Sequence, residues 1–200
     1  MKFKNPRAAR PNMQMNFNTA SGGDIEQYLS IKPATSDNKV KATNIQSNTE
    51  NRQIWGKHIW MFIHGLCAKL KPEYFLQLRG QLLEHLRMIC TNLPCPDCSK
   101  HADEYMKNVN GSSIMSNRDL VLYFYTFHNA VNARKGYPAH KVEDLEIYNK
   151  ANLKNMYKNF TYYFKEQYHS PRLMADSFHR KRAFSSFEKW LQTHTECFNL

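Results

Sequence analysis

The sequence predicts an all-α protein: a four-helix bundle with a short fifth helix, followed by a helical C-terminal extension. Three observations carry this prediction. Beyond residue 53, apolar residues recur at spacings of three and four, the period of a helix with one buried face. Alternation of apolar and polar residues, the mark of a half-buried strand, is missing from the four bundle segments. Only 7 Gly and 8 Pro occur in 200 residues, too few for a sandwich or barrel of tight turns. That length suits one domain with an appendage, and no internal repeat is visible.

Three segments follow along the chain. Residues 1–51 carry eight Asn, a Gly22–Gly23 pair and almost no apolar periodicity, so burial cannot offset the entropy of ordering them. They are expected to be mostly disordered. Lys2, Lys4, Arg7 and Arg10 precede the first acid, Asp24, as in a transit peptide, but no amphipathic face accompanies them. No apolar run suits a secretory signal, and none is long enough to span a membrane.

Residues 52–149 hold the bundle. Trp55, Ile59, Trp60, Phe62, Ile63, Leu66 and Leu70 mark the first helix. Pro72 then marks a turn, and Phe75, Leu78, Leu82, Leu86 and Ile89 mark a second helix that Pro94 breaks. A third starts around Cys95, with Cys98, Ala102, Tyr105, Met106 and Val109 on one face, and ends at Asn110–Gly111. Ser116 followed by Asp119 resembles a capping box, opening a fourth helix that buries Leu120, Phe124, Phe127, His128 and Val131 and stops near Gly136. Val142, Leu145 and Tyr148 suit a short fifth helix. Residues 150–200 form the extension, dense in aromatic residues from Tyr157 to Tyr168, interrupted by Pro171, and closing on Phe184, Phe187, Trp190 and Leu191. It either packs on the bundle or presents an aromatic and basic docking surface.

Net charge is +11, spread as +3, +4 and +4 over residues 1–50, 51–150 and 151–200. A surface of this kind attracts acidic proteins, nucleic acid or anionic lipid without choosing among them. With no nucleic-acid motif beside the charge, such binding is not expected.

Of five cysteines, Cys95 and Cys98 form C-x-x-C, and Cys67, Cys90 and Cys197 are scattered. A cysteine at a helix start sits at the positive end of the helix dipole, which favours its thiolate. Cys95 is thus expected to be an exposed exchanging thiol and Cys98, one turn inward, its buried partner. Pro96 loses nothing by lacking an amide proton there. Zinc is the competing role, with Cys95, Cys98, His101 and either Cys90 or His85 as ligands, but a second pair at zinc-site spacing is missing. No metal is therefore assigned. In a straight hairpin around Pro72, Cys67 and Cys90 would lie about 20 Å apart, too far to bridge. Cys67 is expected to fill the core.

His64 shares the apolar face of the first helix with Trp60, and His128 that of the fourth, with Asn129 and Asn132 beside it. One inward histidine is ordinarily a satisfied core residue. Two of them, with a tryptophan and two amides near a dithiol, suggest a cofactor pocket that suits a planar aromatic group.

Three blocks, W-G-K-H-I-W-M-F-I-H (Trp55 to His64), C-P-D-C (Cys95 to Cys98) and H-N-A-V-N-A-R-K-G-Y-P (His128 to Pro138), together resemble the Erv/ALR family of FAD-dependent sulfhydryl oxidases. The resemblance covers about residues 53–148, and the extension with few further cysteines looks most like versions carried by large DNA viruses. It implies a thiol oxidase using FAD: substrate thiols become a disulfide, electrons pass through Cys95–Cys98 to FAD, and oxygen becomes hydrogen peroxide. By resemblance, Cys98 lies beside the flavin and Cys95 exchanges with substrate. Gly56, Lys57, Trp60 and His64 match the flavin-contacting block. His128, Asn129, Val131, Asn132 and Arg134 match the block around adenine and phosphates. Tyr137 stands where the family often has a lysine, and Lys135 is placed to compensate. The resemblance also implies thiol-containing protein substrates, molecular oxygen and a homodimer. It points to the host cytoplasm or virion, or in mitochondrial relatives the intermembrane space. With no second dithiol, substrate is expected to exchange directly with Cys95. The alternative is a flavin-free helical scaffold whose C-x-x-C is structural or zinc-bound and whose basic surface docks partners.

Overall fold

A computed structural model describes residues 46–107, 109–165 and 174–200. Seven α-helices occur among them: α1 Gln46–Lys69, α2 Phe75–Thr91, α3 Pro96–Met106, α4 Asn117–Lys135, α5 Glu146–Lys150, α6 Leu153–Lys165 and α7 Met174–Thr193. The only β pairing among the described residues is a single antiparallel bridge, Leu70 with Phe198. The all-α expectation holds, with α1–α4 as the bundle, α5 as the short fifth helix and α6–α7 as the extension.

Helix α1 is apolar nearly all round over its second half, the mark of a helix buried on more than one side. Phe62, Ile63, Leu66 and Cys67 are at most 1% exposed. One side faces α4, where Trp60 meets Phe127 edge-on at 5.3 Å. Another side faces the extension, where Phe62 stacks on Phe160 of α6 at 4.4 Å and meets Phe187 of α7 at 5.8 Å. Gly65 allows this approach: a side chain there would run into the Met156 Sδ at 2.7 Å. The helix begins at Gln46, inside the segment expected to be disordered. Residues 46–51 hold no apolar residue, so periodicity could not reveal that the helix continues through them.

Local signals set the remaining boundaries. Ser116 and Asp119 form the capping box at the start of α4, the Ser116 Oγ accepting from the Asp119 N at 3.2 Å and the Asp119 Oδ2 from the Ser116 N at 2.9 Å. Gly136 ends α4 in the left-handed region at φ 72, where a side chain is strained. Asn117 donates its Nδ2 to the Leu70 O at 2.8 Å, joining the start of α4 to the end of α1. The two helices therefore run antiparallel, which brings residues near 128 opposite those near 60. Helix α3 stops at Met106, short of Val109.

Of the two expectations for the extension, packing on the bundle is what occurs. Helix α6 lies on α1 and α7 on α2, with Phe160, Phe164 and Phe187 fully buried. Trp190 donates its Nε1 to Gln81 of α2 at 2.7 Å. The last residues bind back to the α1–α2 turn, Lys71 N donating to Cys197 O at 2.9 Å and Asn199 N to Lys69 O at 2.8 Å. Cys67, Cys90 and Cys197 are free and buried. Burial, and after it the neighbouring Cys90, pushes the Cys67 thiol far above its usual range, while burial pushes Cys90 up to about 12. These two thiols therefore lie closer than a straight hairpin would put them. The expectation that Cys67 fills the core is met, since it is fully buried and inert as a nucleophile at neutral pH.

Phe160 sits where α1, α6 and α7 meet, so the extension should be part of the folded core. Phe160→Ala is expected to destabilise the protein by about 3–5 kcal/mol in urea denaturation, in one cooperative transition. A separate early transition for residues 153–200 would show instead that the extension folds on its own.

Candidate active site

The dithiol lies where α2 ends and α3 begins. Cys95 is the N-cap of α3, and its Sγ accepts a hydrogen bond from the Cys98 N at 3.3 Å. Pro96 occupies the first helical position, and Asp97 lies in the first turn. Cys95 and Cys98 are joined as a disulfide, with Cα atoms 5.1 Å apart. The expected division of exposure is reversed. Cys95 is 7% exposed, while Cys98 is only half-buried. The reason is positional: the capping role turns Cys95 back onto the helix end behind a buried Pro94, whereas Cys98, one turn on, faces an open recess.

That recess is shallow and opens to solvent. Trp55, Gly56, Ile59, Trp60 and Ile63 of α1 form one wall, and Phe127, Val131, Arg134 and Lys135 of α4 form another. Cys90 and Leu93 at the end of α2, with Cys98, His101 and Ala102 of α3, complete it. Gly56 has ordinary helical backbone, and a Cβ added there would meet no protein atom within 4 Å. Glycine at 56 is therefore not required by packing or backbone; what it does is keep the wall low. The rim is positive. Burial, then the charges of Arg134 and Lys135, lower the His101 pKa, with Glu104 opposing.

Six of the residues singled out from sequence line this recess: Gly56, Trp60, Cys98, Val131, Arg134 and Lys135. His64 and His128 do not. They lie behind Trp60, whose ring stacks on His128 at 4.1 Å and 7°. The His64 Nε2 and His128 Nδ1 are 3.0 Å apart, sharing one hydrogen between them. Tyr148 stacks on His64 at 4.9 Å, and His140 leans on His128 at 4.6 Å. Asn129 and Asn132 are engaged by the loop after α4. Asn129 donates to the His140 O and accepts from the His140 N, and Asn132 donates to the Pro138 O. Their side chains fold the loop on which α4 ends. Lys57 does not line the recess, and partial burial lowers its pKa. The lining residues not foreseen were Trp55, Ile59, Ile63, Leu93, Ala102 and Phe127, while Cys90 and His101 had been named only as candidate zinc ligands. Trp55 and Ile59 share a helical face with Gly56 and Trp60, and His101 follows Cys98 by one turn, so spacing held that signal. Among the described residues no group of three side chains is arranged to hold a metal.

The histidines behind Trp60 are neutral at pH 7. Burial first, then the neighbouring His140, lowers His64 to about 3; burial, then His64, His140 and Lys135, lowers His128 to about 2. Unfolded, each returns to an ordinary value near 6.5. Their contribution to stability is therefore present above that pH and lost as the pH falls toward the folded values, with a slope of about 1.4 kcal/mol per pH unit per group. Between pH 7 and pH 5, a His64→Leu protein should lose about 2 kcal/mol less stability than the parent in urea denaturation. An equally steep loss in both would place the acid sensitivity elsewhere.

The profile of the Erv1/Alr family matches residues 57–154, which take in the dithiol, the looped end of α4 and all of the recess lining but Trp55 and Gly56. An inferred FAD-linked sulfhydryl oxidase of Invertebrate iridescent virus 3, 096R, is 32% identical over 87 residues, 43% of this chain and 59% of that protein. The chain thus spans somewhat over half the length of that relative. A second inferred FAD-linked sulfhydryl oxidase, 347L of Invertebrate iridescent virus 6, is 31% identical over 91 residues, 42% of this chain and 82% of that protein. A third, FPV093 of Fowlpox virus, is 30% identical over 78 residues, 39% of this chain and 74% of that protein. No solved structure matches the chain with significance. With the profile matched over residues 57–154 and two viral relatives at least 30% identical over about three quarters or more of their own length, the chain belongs to the Erv1/Alr family.

Proposed function

We propose that this protein is an FAD-dependent thiol oxidase that makes disulfides in substrate proteins through Cys95 and Cys98. The observation that carries this function is the placement of Cys98 on the wall of an apolar recess with a positive rim. Family membership and the names of the viral relatives support it.

The residues present fit the cofactor. The wall kept low at Gly56, beside Trp55 and Trp60, suits a flat ring system lying against Cys98. Arg134 and Lys135 suit the diphosphate that such a ring carries. The stacked Trp60–His128 pair, backed by His64, holds that wall rigid in neutral form.

In the first step a substrate thiolate attacks the Cys95 Sγ; the Cys95–Cys98 bond breaks and its electron pair leaves on Cys98. A second substrate thiolate attacks the substrate sulfur of the mixed disulfide, forming the product disulfide and releasing Cys95 as thiolate. The Cys98 N–H and the N-terminal end of α3 stabilise that charge. Cys95 and Cys98 then re-form their disulfide, and the chemistry that bound FAD would supply is acceptance of the electron pair so released and its delivery to dioxygen, which with two protons becomes hydrogen peroxide. At 7% exposed, Cys95 offers a small target, which favours thiols on pliant segments over those on a folded surface. Cys197 is pinned to the turn after Lys69, roughly 20 Å along α1 from Gly56, so direct exchange remains the route. The viral relatives support action in an infected cell, where cytosolic conditions oppose stable disulfides. A homodimer, as the resemblance implies, would have to use a surface other than the side of α1 that α6 covers.

The purified protein should show a flavin absorption band. Cys95→Ser should add a long-wavelength shoulder that Cys98→Ser lacks, assigning Cys98 as the thiol beside the ring. A colourless protein with stoichiometric zinc would instead leave only the scaffold alternative. Gly56→Leu should leave stability within about 1 kcal/mol of the parent, since leucine is the better helix former. Its FAD content, read from the ratio of visible to ultraviolet absorbance, should fall at least about tenfold, equivalent to about 1.4 kcal/mol of binding. Full occupancy in that variant would move the ring away from α1.

A further inference from the structure

Arg180 belongs to α7, in the extension, yet it reaches the connection that carries the dithiol. Only 5% exposed, it donates its Nε to the Asn92 O at 3.1 Å across 88 residues of sequence. Asn92 is the C-cap of α2, where carbonyl groups lack intrahelical partners and the negative end of the helix collects. A buried guanidinium is costly unless its partners are well placed, and this carbonyl is one of them. The next carbonyl, Leu93 O, accepts from the Ser99 Oγ of α3 at 3.2 Å. Two successive peptide groups of the α2–α3 connection are therefore held from two helices, and only Pro94 separates them from Cys95.

We propose that Arg180 is a positioning residue for the redox pair, fixing the connection so that Cys95 stays at the N-terminus of α3. This rests on the thiol-oxidase function proposed above. The Cys95 Sγ reaches the Cys98 N–H only while the backbone before it holds the N-cap geometry. Once the second substrate thiolate releases Cys95 from the mixed disulfide, that N–H and the helix end stabilise the Cys95 thiolate, which makes the pair a stronger oxidant. With the clamp on Asn92 gone, the connection loosens, the thiolate loses its partners, and the disulfide becomes harder to reduce. The extension thereby acts on the chemistry as well as on the core.

The test uses the full chain, equilibrated without oxygen against mixtures of reduced and oxidised glutathione, with the state of Cys95–Cys98 read by alkylation and mass. Cys67, Cys90 and Cys197 are buried and do not interfere. Arg180→Ala should shift the equilibrium toward the disulfide about threefold to tenfold, the upper figure being about 30 mV. It should slow reduction by dithiothreitol by a similar factor. Arg180→Lys, which keeps a cation able to reach the carbonyl, should stay within about twofold of the parent. An Arg180→Ala protein with the parent equilibrium, whatever its melting temperature, overturns the proposal and leaves Arg180 a packing residue. A Lys variant no better than Ala overturns it too. If Arg180→Ala does not fold, Arg180→Met fills the buried space with neither the N–H donor nor the charge: a shift of threefold or more supports the proposal, and none overturns it. A protein without flavin or oxidase activity would sink the proposed function separately, because the equilibrium reads only the dithiol.

Discussion

Burial of α1 on opposing sides is the constraint on which the rest of the structure depends. A helix at the edge of a bundle needs one apolar stripe, but this one carries apolar groups on nearly every side of its second half. Trp55, Ile59, Trp60 and Ile63 line the recess beside the dithiol, while Phe62 takes the aromatic residues of the extension. Leaving Phe62 in water would forgo about 2–3 kcal/mol and expose a sticky surface. The extension is thus the cover that one side of α1 demands, and the site lies on another side of the same rod.

Polar groups near the site are arranged so that few of them need water. The His64–His128 pair shares a hydrogen bond behind Trp60, and both rings are kept neutral by burial. The amides of Asn129 and Asn132 satisfy loop carbonyls, and the Tyr125 hydroxyl donates to the His140 O at 2.9 Å. Charge is kept for the rim, where Arg134 and Lys135 stand at the last turn of α4 and also face the negative end of that helix. An apolar floor with a cationic edge is a division of labour that neutral histidines make possible.

Much of this was legible in the sequence, for identifiable reasons. Helix spacing, the Ser116–Asp119 box, Gly136 and the prolines each act through local backbone physics, so the order of the helices could be read directly. The recess residues Gly56, Trp60, Cys98, Val131, Arg134 and Lys135 were accessible because a family pattern adds to their spacing. What failed depended on tertiary placement. Which cysteine of the pair is covered follows from capping and from Pro94, and the pattern C-x-x-C does not encode it. Asn129 and Asn132 turned toward a loop whose path the sequence does not state. The nearness of Cys67 and Cys90 also escaped a hairpin drawn with straight rods. Arg180 carried no sequence signal, because its partner is a backbone carbonyl 88 residues away.

The bridge between Leu70 and Phe198 has a consequence for synthesis. The Lys71 side chain also reaches the Glu196 O, a pairing 125 residues apart. Both ends of the dithiol and all walls of the recess leave the ribosome well before residue 198 does. During that interval α1 lacks the partners that cover Phe62, and the nascent chain resembles a partly wrapped core. Closure waits for residue 198, so the protein reaches its full packing only after translation has passed that point, and a stalled or shortened chain would be prone to aggregate with its dithiol already formed.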